Sequence, residues 1–349
     1  MIEGHATIRG TDKFCEKFPG LYRQTPYWIS SAIGLGTHLG DMNTVDSQLY
    51  RDSLEYALMN GINIIDTAIN YRGMLSERDI GFVLNKLMNE EGLLQRNEVI
   101  ISTKADIIPG DIEAQLVPAE YLKKILLSQN IIRESDLNIV GYQRHVMNPK
   151  YYEFAIRESR KHLKIETIDI HYIHNPELSM KVLGEDSFYE RLANLFAFYE
   201  ETVLKGFIRY YGMAVWEAFL LNPDQSGYIS LEKVMKIATH VGGEEHHFRF
   251  IQVPYNLVMN KAGCYKNQSI GKVLLSCFDA AKMLGLSITT SAPFGSSNAI
   301  KFGGNLQKLL TSFMKEKKIM SVMIGMKNKE HVKDNHETMA VLRQGMNYK

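Results

Sequence analysis

A (β/α)8 barrel is the fold this sequence predicts, and three observations carry the prediction. Eight short runs of β-branched and aliphatic residues recur along the 349 residues, long amphipathic stretches separate most of them, and β-hairpin signals between them are few. Strands joined by helices call for a parallel sheet, and eight such units in a chain of this length match a closed barrel. A doubly wound open sheet is the alternative. Against it, Gly34-Leu35-Gly36-Thr37-His38-Leu39-Gly40 lacks the final spacing of a dinucleotide fingerprint, and no helix follows it closely.

The elements follow in order. Ser31 to Gly36 is the first strand. The amphipathic stretch Thr44 to Met59 comes next, and Asn60-Gly61 supplies its left-handed stop. Ile62 to Asp66 is the second strand, Leu75 to Met88 a helix, and Val99 to Thr103 the third strand. Tyr151 to Leu163 is helical by its apolar spacing and leads into the fourth strand, Ile168 to Ile173. Asp186 to Lys205 is a helix closed by Gly206, ahead of the fifth strand, Phe207 to Gly212. Phe248 to Val253 is the sixth strand, and Ser269 to Leu284 is expected as a helix closed by Gly285. Ser287 to Ser291 and Ser321 to Ile324 complete the eight.

One stretch breaks the rhythm. The segment 105–148, from Ala105 to Asn148, separates the third strand from its helix and is far longer than a usual βα connection. It reads as a loop insertion, with a helix expected at Tyr121 to Gln129, and a long βα loop in a barrel lies on the catalytic face. No linker divides the chain, so residues 1–349 read as a single barrel domain.

Composition excludes several classes of function. Forty Lys+Arg against 39 Asp+Glu leave a net charge of +1, with no pull towards nucleic acid or an anionic membrane. Cys15, Cys264 and Cys277 are an odd, scattered set, which argues against a disulfide framework and a zinc site. The N-terminus lacks a basic region followed by an apolar stretch, and the longest apolar runs fall far short of the roughly 20 residues of a membrane span. A cytoplasmic protein acting on small molecules is the expectation, and the oligomeric state is left open.

Four polar residues fall at or just beyond the ends of strands two, three and four: Asp66 and Tyr71, Lys104, and His174. In a barrel those ends converge on one rim. Each has a bland reading alone, as a turn cap, a solvated cation, a half-buried ring or a loop histidine. Together they describe chemistry: a lysine ammonium lowers the pKa of a neighbouring phenol, a carboxylate fixes the lysine, and an imidazole hydrogen-bonds a carbonyl oxygen as charge develops.

The run Asp66-Thr67-Ala68-Ile69-Asn70-Tyr71-Arg72-Gly73-Met74-Leu75-Ser76-Glu77 resembles the aldo/keto reductase signature, in which D-T-A-x-x-Y precedes S-E and a helix. Ile101-Ser102-Thr103-Lys104 and Asp169-Ile170-His171-Tyr172-Ile173-His174-Asn175-Pro176 resemble that family's strand-three lysine and its D-x-x-x-x-H-x-P segment. The resemblance runs from Gly34 to Asn335. It implies a NAD(P)(H)-dependent oxidoreductase acting on a carbonyl or alcohol substrate, with Tyr71 as acid/base, Asp66 and Lys104 tuning it, His174 positioning the oxygen, and no metal. Two extra residues between Tyr71 and Ser76 resemble the aldose and galactose dehydrogenase branch and point to sugar-like substrates.

The cofactor contacts implied are Gly36 and Thr37 after strand one, Asp66, and Gln252 in the Q-x-x-Y-N-like segment. Gly212-Met213-Ala214-Val215 stands where the family often has G-x-S-N. Ser291, Pro293, Phe294 and Gly295, followed by Ser296 and Ser297, resemble the loop over the pyrophosphate, where small residues let backbone amides approach phosphate. Gly325, Lys327, His331, Asp334 and Asn335 resemble the adenosine segment. Recognition of a 2′-phosphate would fall to Lys327, Lys329 or His331, which tilts the expectation from NAD(H) towards NADP(H).

Other motifs are set aside. His171 and His174 are three apart on a strand and point to opposite faces, which disfavours a metal pair. Glu244-Glu245-His246-His247 reads as a polar loop and Lys315-Glu316-Lys317-Lys318 as a helix end, where cations suit the dipole. A nucleotide-binding sensor barrel is the alternative reading, prompted by Ala214 and Val215. A metal-dependent hydrolase would need a carboxylate and histidine cluster on several strand ends, and none is found.

Overall fold

The computed structural model describes residues 1–295 and 306–346. Eight parallel strands close into a barrel in chain order: β1 Ile33–Gly36, β2 Ile64–Asp66, β3 Ile100–Ala105, β4 Ile168–His174, β5 Ile208–Ala214, β6 Phe248–Pro254, β7 Ser287–Ser291 and β8 Ile319–Gly325. Closure is made by β8 against β1, with Val322 opposite Ile33 and Gly325 opposite Gly36. The strands read as continuous apolar runs because both faces are covered, the inner by the lumen and the outer by helices. Those helices are α1 Thr44–Leu58, α2 Leu75–Asn85, α3 Pro149–Leu163, α4 Glu185–Leu204, α5 Leu231–Gly242, α6 Cys277–Met283, α7 Leu306–Lys315 and α8 Lys329–Met346. Local signals start several of them. Asn43 accepts the Asp46 amide at α1, Asn148 with Pro149 opens α3, and Ser230 and Ser276 cap α5 and α6.

The predicted first strand divides in two. Ile29–Ser31 leaves the barrel to pair antiparallel with Tyr22–Gln24, and only Ile33–Gly36 joins the ring. The hairpin closes the N-terminal end of the lumen. Trp28 in its turn is buried and stacks on Phe250 at 5.4 Å between centroids and 12° between planes. Above it the lumen is packed by Ile64, Ile100, Ile170 and Tyr172.

The hairpin also stops α7. The Arg23 guanidinium donates to the carbonyls of Phe313, Met314, Glu316 and Ile319, so one side chain satisfies the helix end and the loop after it. Arg23→Met should cost about 1–3 kcal/mol through the orphaned carbonyls, read as a lowered midpoint in urea unfolding. A midpoint equal to the parent's would show that water replaces the guanidinium freely.

The expected helix Ser269 to Leu284 is a correction. Its first half is a hairpin, Lys266–Ile270 against Val273–Ser276, turning at Gly271 with φ +59°, and only Cys277–Met283 is helical. Tertiary hydrogen bonds override the apolar spacing. Buried Gln268 accepts the Leu231 amide and donates to the carbonyls of Phe219 and Ile229, which needs an extended backbone laid across those segments.

The segment after β3 has structure of its own. Pro118–Leu127 is helical over most of the expected Tyr121 to Gln129, and Leu137–Val140 pairs with Gln143–Val146 in a hairpin through Gly141. Among the described residues no helix is long and apolar enough to cross a membrane. The three cysteines are free, with the Cys15 thiol pushed up to about 12 by burial.

Candidate active site

Asp66 closes β2 and organises the rim. Its Oδ2 accepts Lys104 Nζ at 2.6 Å, while Oδ1 accepts Ser102 Oγ at 2.8 Å and Gln252 Nε2 at 3.0 Å. Lys104 is wholly buried and also donates to the Thr67 carbonyl at 2.8 Å. Its third N–H is left for Tyr71, whose ring centroid is 5.1 Å from Nζ.

Tyr71 is presented by a tight turn, Tyr71–Met74, in which Arg72, Gly73 and Met74 take φ of +49°, +57° and +70°. Left-handed backbone at Arg72 and Met74 costs on the order of 1–2 kcal/mol each. Buried contacts hold it in place. Arg72 donates to Asp79 Oδ2 at 2.8 Å, Ser47 Oγ at 3.0 Å and the Asp41 carbonyl at 3.0 Å, and its guanidinium lies over the Tyr50 ring. The turn lies in the lengthened part of the signature between Tyr71 and Ser76, and Arg72 anchors it to α1 and α2.

His174 ends β4 with its ring centroid 5.7 Å from that of Tyr71, at 73°. Burial, then the ammonium of Lys104 and the neighbouring His145 and His38, hold its pKa well below the usual imidazole range, so the ring is neutral. His171 points the other way, as the strand period requires. Its Nδ1 meets the Tyr199 hydroxyl at 2.7 Å in the helix layer, and burial depresses its pKa to about 3.

The titration of Tyr71 corrects the sequence-based expectation. Burial pushes the phenol above its ordinary value, and the nearby Lys104 only partly offsets this, with Asp66 at 2.6 Å from the ammonium acting against it. The lysine therefore moderates a raised pKa rather than producing a lowered one.

A cavity of about 390 Å³ opens above these groups. Gly36, Thr37, Asp66, Tyr71, His174, Gln252, Ser291, Pro293, Phe294 and Gly325 line it, and Lys104 lies beneath. Gly36 and Gly325 sit opposite each other in the β1–β8 ladder, and a Cβ at Gly325 would come within 2.9 Å of Leu39. Thr37 Oγ1 donates to the Asp66 carbonyl at 3.2 Å. After β7 the chain turns through Ala292 at φ +50°, pinned by Asn256 Nδ2 on its carbonyl at 2.9 Å. Gly295 follows outside the lining, and Ser296 and Ser297 lie outside the described residues.

Gly325 apart, the adenosine-segment residues lie outside the cavity lining, around the start of α8. Lys327 is not a free cation, since both oxygens of Asp46 accept its ammonium at 2.9 and 3.0 Å. His331 and Asp334 are exposed. Asn335 is buried, donates to the His331 carbonyl at 2.6 Å and keeps an unpartnered Oδ1.

Several lining residues had not been singled out as site residues in the sequence. His38 packs on the other side of Tyr71, 4.7 Å between centroids. Asn70, Asn175 and Trp216 add polar and aromatic surface, and Ile107 and Gln143 come from the segment after β3. His38 and Trp216 were findable, because each follows a barrel strand within a few residues. Gln143 was not, because only the hairpin's fold brings it back to the rim.

Comparisons with known proteins agree with this geometry. The chain is similar to an aldo/keto reductase of Bacillus halodurans in its holo form, with 16% identity over 91% of this chain and 90% of that one, and a TM-score of 0.58. A Pseudomonas aeruginosa protein described as an aldo-keto reductase gives 17% identity, 91% and 94% coverage and a TM-score of 0.57. An aldo/keto reductase of Klebsiella pneumoniae in complex with NADP and acetate gives 16%, 96% and 90%, and 0.54. At such identities these likenesses show the barrel fold. Among curated proteins no match is found. The sequence profile described as "Aldo/keto reductase family" matches residues 32–266, from just before β1 to the hairpin after β6, and the chain belongs to that family.

Proposed function

We propose that this protein is an NAD(P)(H)-dependent oxidoreductase that moves hydride between nicotinamide and a small carbonyl or alcohol substrate. The observation that carries the reading is the Asp66, Lys104, Tyr71 and His174 cluster at the base of one open cavity. The residues fit the cofactor. Gln252 has its Nε2 tied to Asp66 and Thr289, which leaves its carbonyl oxygen to accept a carboxamide N–H. Side-chain-free Gly36 and Gly325 allow close approach, and the buried, orphaned Asn335 Oδ1 can accept an adenine amino group. The cofactor would supply the hydride.

In the reductive direction Tyr71 donates its phenolic proton to the carbonyl oxygen as hydride reaches the carbon. Lys104 then stabilises the phenolate, and neutral His174 donates a hydrogen bond to the same oxygen. Oxidation of an alcohol runs the same transfers backwards. Asn70, Asn175 and Gln143 give the cavity neutral polar walls, which suits an uncharged hydroxylated substrate of the sugar kind. The 105–148 segment shapes that pocket through Ile107 and Gln143, as part of one barrel domain. For the cofactor we favour NADP(H), with exposed His331 and Lys329, whose ammonium lies over the Tyr56 ring, as the groups for a 2′-phosphate, since Lys327 is engaged by Asp46. The NADP complex of the Klebsiella protein supports this choice.

The test is a fluorescence titration with NADPH and NADH, followed by absorbance decay at 340 nm on aldehydes and sugars. Tight binding with substrate-dependent decay is expected. Binding without turnover on any substrate would favour the sensor reading suggested by Ala214 and Val215, which line the cavity. No binding of either nucleotide would overturn the proposal.

A further inference from the structure

The hairpin after β3 brings a second buried histidine up behind His174. His145, on the strand Gln143–Val146, and Asp106, the residue following β3, are both fully buried. His145 Nδ1 and Asp106 Oδ1 are 3.1 Å apart, and the same oxygen accepts the Val146 amide at 2.9 Å. In the neutral ring, an oxygen placed to accept from both neighbours puts the proton on Nδ1 and leaves Nε2 as a lone-pair acceptor. That Nε2 is buried without a partner. Asp106 takes φ +148° to make the pairing, a conformation rare outside glycine.

The barrel register puts this pair next to the catalytic rim. Ala105 lies opposite Ile173, so Asp106 and His174 are the next residues along the two strands. His174 lines the cavity, while its Nδ1 is turned into the protein and has no partner. No hydrogen bond joins the two rings directly, yet His145 is near enough to act electrostatically on His174. The other titratable groups in the surround are Tyr151, Tyr152 and Tyr199 beside Asp106, and Lys104, His38 and Tyr71 beside His174.

To donate to a substrate oxygen from the cavity side, neutral His174 must carry its proton on Nε2, which makes Nδ1 an acceptor. His145 Nε2 is an acceptor as well. A single water donates one O–H to each and is the simplest group that satisfies both. We infer that His145, held by Asp106, is a positioning residue that fixes the tautomer of His174 through one buried water shared by His145 Nε2 and His174 Nδ1. The insertion thereby acts on the rim from behind as well as lining the cavity. The expected tautomer and its kinetic consequence both rest on the oxidoreductase reading, whereas the tautomer is measured without any turnover.

The experiment is nitrogen NMR of the full chain labelled with 15N-histidine, with His174→Gln used to assign the His174 signals. His145→Asn keeps a donor at the Nδ1 position for Asp106 and deletes the acceptor at Nε2. His145→Gln places an amide carbonyl at the reach of Nε2. In the parent, His174 should show protonated Nε2 and unprotonated Nδ1. In His145→Asn the two tautomers should mix, and His145→Gln should restore the parent pattern. The kcat of His145→Asn should fall about tenfold, as for loss of an outer partner of a working histidine, with cofactor Kd unchanged and partial recovery in His145→Gln. Should the Asn variant fail to fold, His145→Met fills the volume without a nitrogen and should give the same mixture. An unchanged His174 tautomer in a folded Asn or Met variant overturns the inference, as does a Gln variant indistinguishable from Asn. A parent without turnover on any substrate removes the function proposed above and leaves the NMR result to decide this one.

Discussion

Tyr71→Phe should lower kcat by roughly 10²–10⁴-fold, the range for loss of a positioned general acid, while the dissociation constant for NADPH stays within a factor of about three (roughly 0.6 kcal/mol). The ring and its packing against His38 and His174 survive the substitution, and only the hydroxyl with its proton is removed. Stopped-flow reduction and a binding titration on the same preparation separate the two effects. Turnover within tenfold of the parent would refute Tyr71 as the proton donor.

The raised pKa of Tyr71 gives this assignment a pH signature. A phenol whose folded value lies above the ordinary one near about 10 stays protonated through neutral and mildly alkaline pH. Carbonyl reduction, which consumes the proton, should therefore hold level until the alkaline limit and fall above it. Alcohol oxidation, which needs the phenolate, should rise over the same range. Profiles with the opposite slopes would point to another acid/base group.

Asp169→Ala should be the most damaging substitution outside the cavity, at about 3–5 kcal/mol of unfolding free energy. Asp169 on β4 is fully buried, and its carboxylate accepts Arg96 at 2.7 Å and the amides of Ile101 and Ala6 at 2.8 and 2.7 Å. Arg96 is 5% exposed and also donates to the carbonyls of Val99 and Thr167. Removing the carboxylate leaves a buried guanidinium without its counter-charge and two backbone amides without acceptors, at the point where the N-terminal arm meets β3 and β4. Guanidinium unfolding checks it, and a loss under about 1 kcal/mol would mean that water reaches Arg96. Asp169→Leu combined with Arg96→Met should cost less than the sum of the single changes, because the isolated charge is then gone.

Asp169 and His174 belong to one sequence segment yet serve opposite ends of the barrel. The signature that pointed to chemistry at His174 gave no hint that Asp169 is a structural clasp. His171 and Asp66 were separable from sequence alone, since strand periodicity sends His171 outward to Tyr199 and a strand end sends Asp66 to the rim. Gly61, Gly206 and Gly285 were legible as helix stops for an equally local reason, and each has a positive φ in the structure.

What the chain determined by itself is what local rules govern: eight strand and helix units, their order and closure into a barrel, and the rim positions of Asp66, Tyr71, Lys104 and His174. Spacing along one chain suffices, because a parallel barrel sends every strand end to the same face. The tertiary structure decided what depends on distant partners. It turned the first half of the Ser269 to Leu284 stretch into a hairpin, because Gln268 finds backbone groups more than thirty residues away. It raised the Tyr71 pKa, because burial and the Asp66 carboxylate act together against the lysine. It engaged Lys327 with Asp46 and set His145 behind His174, since folding brings together charges and lone pairs far apart in sequence.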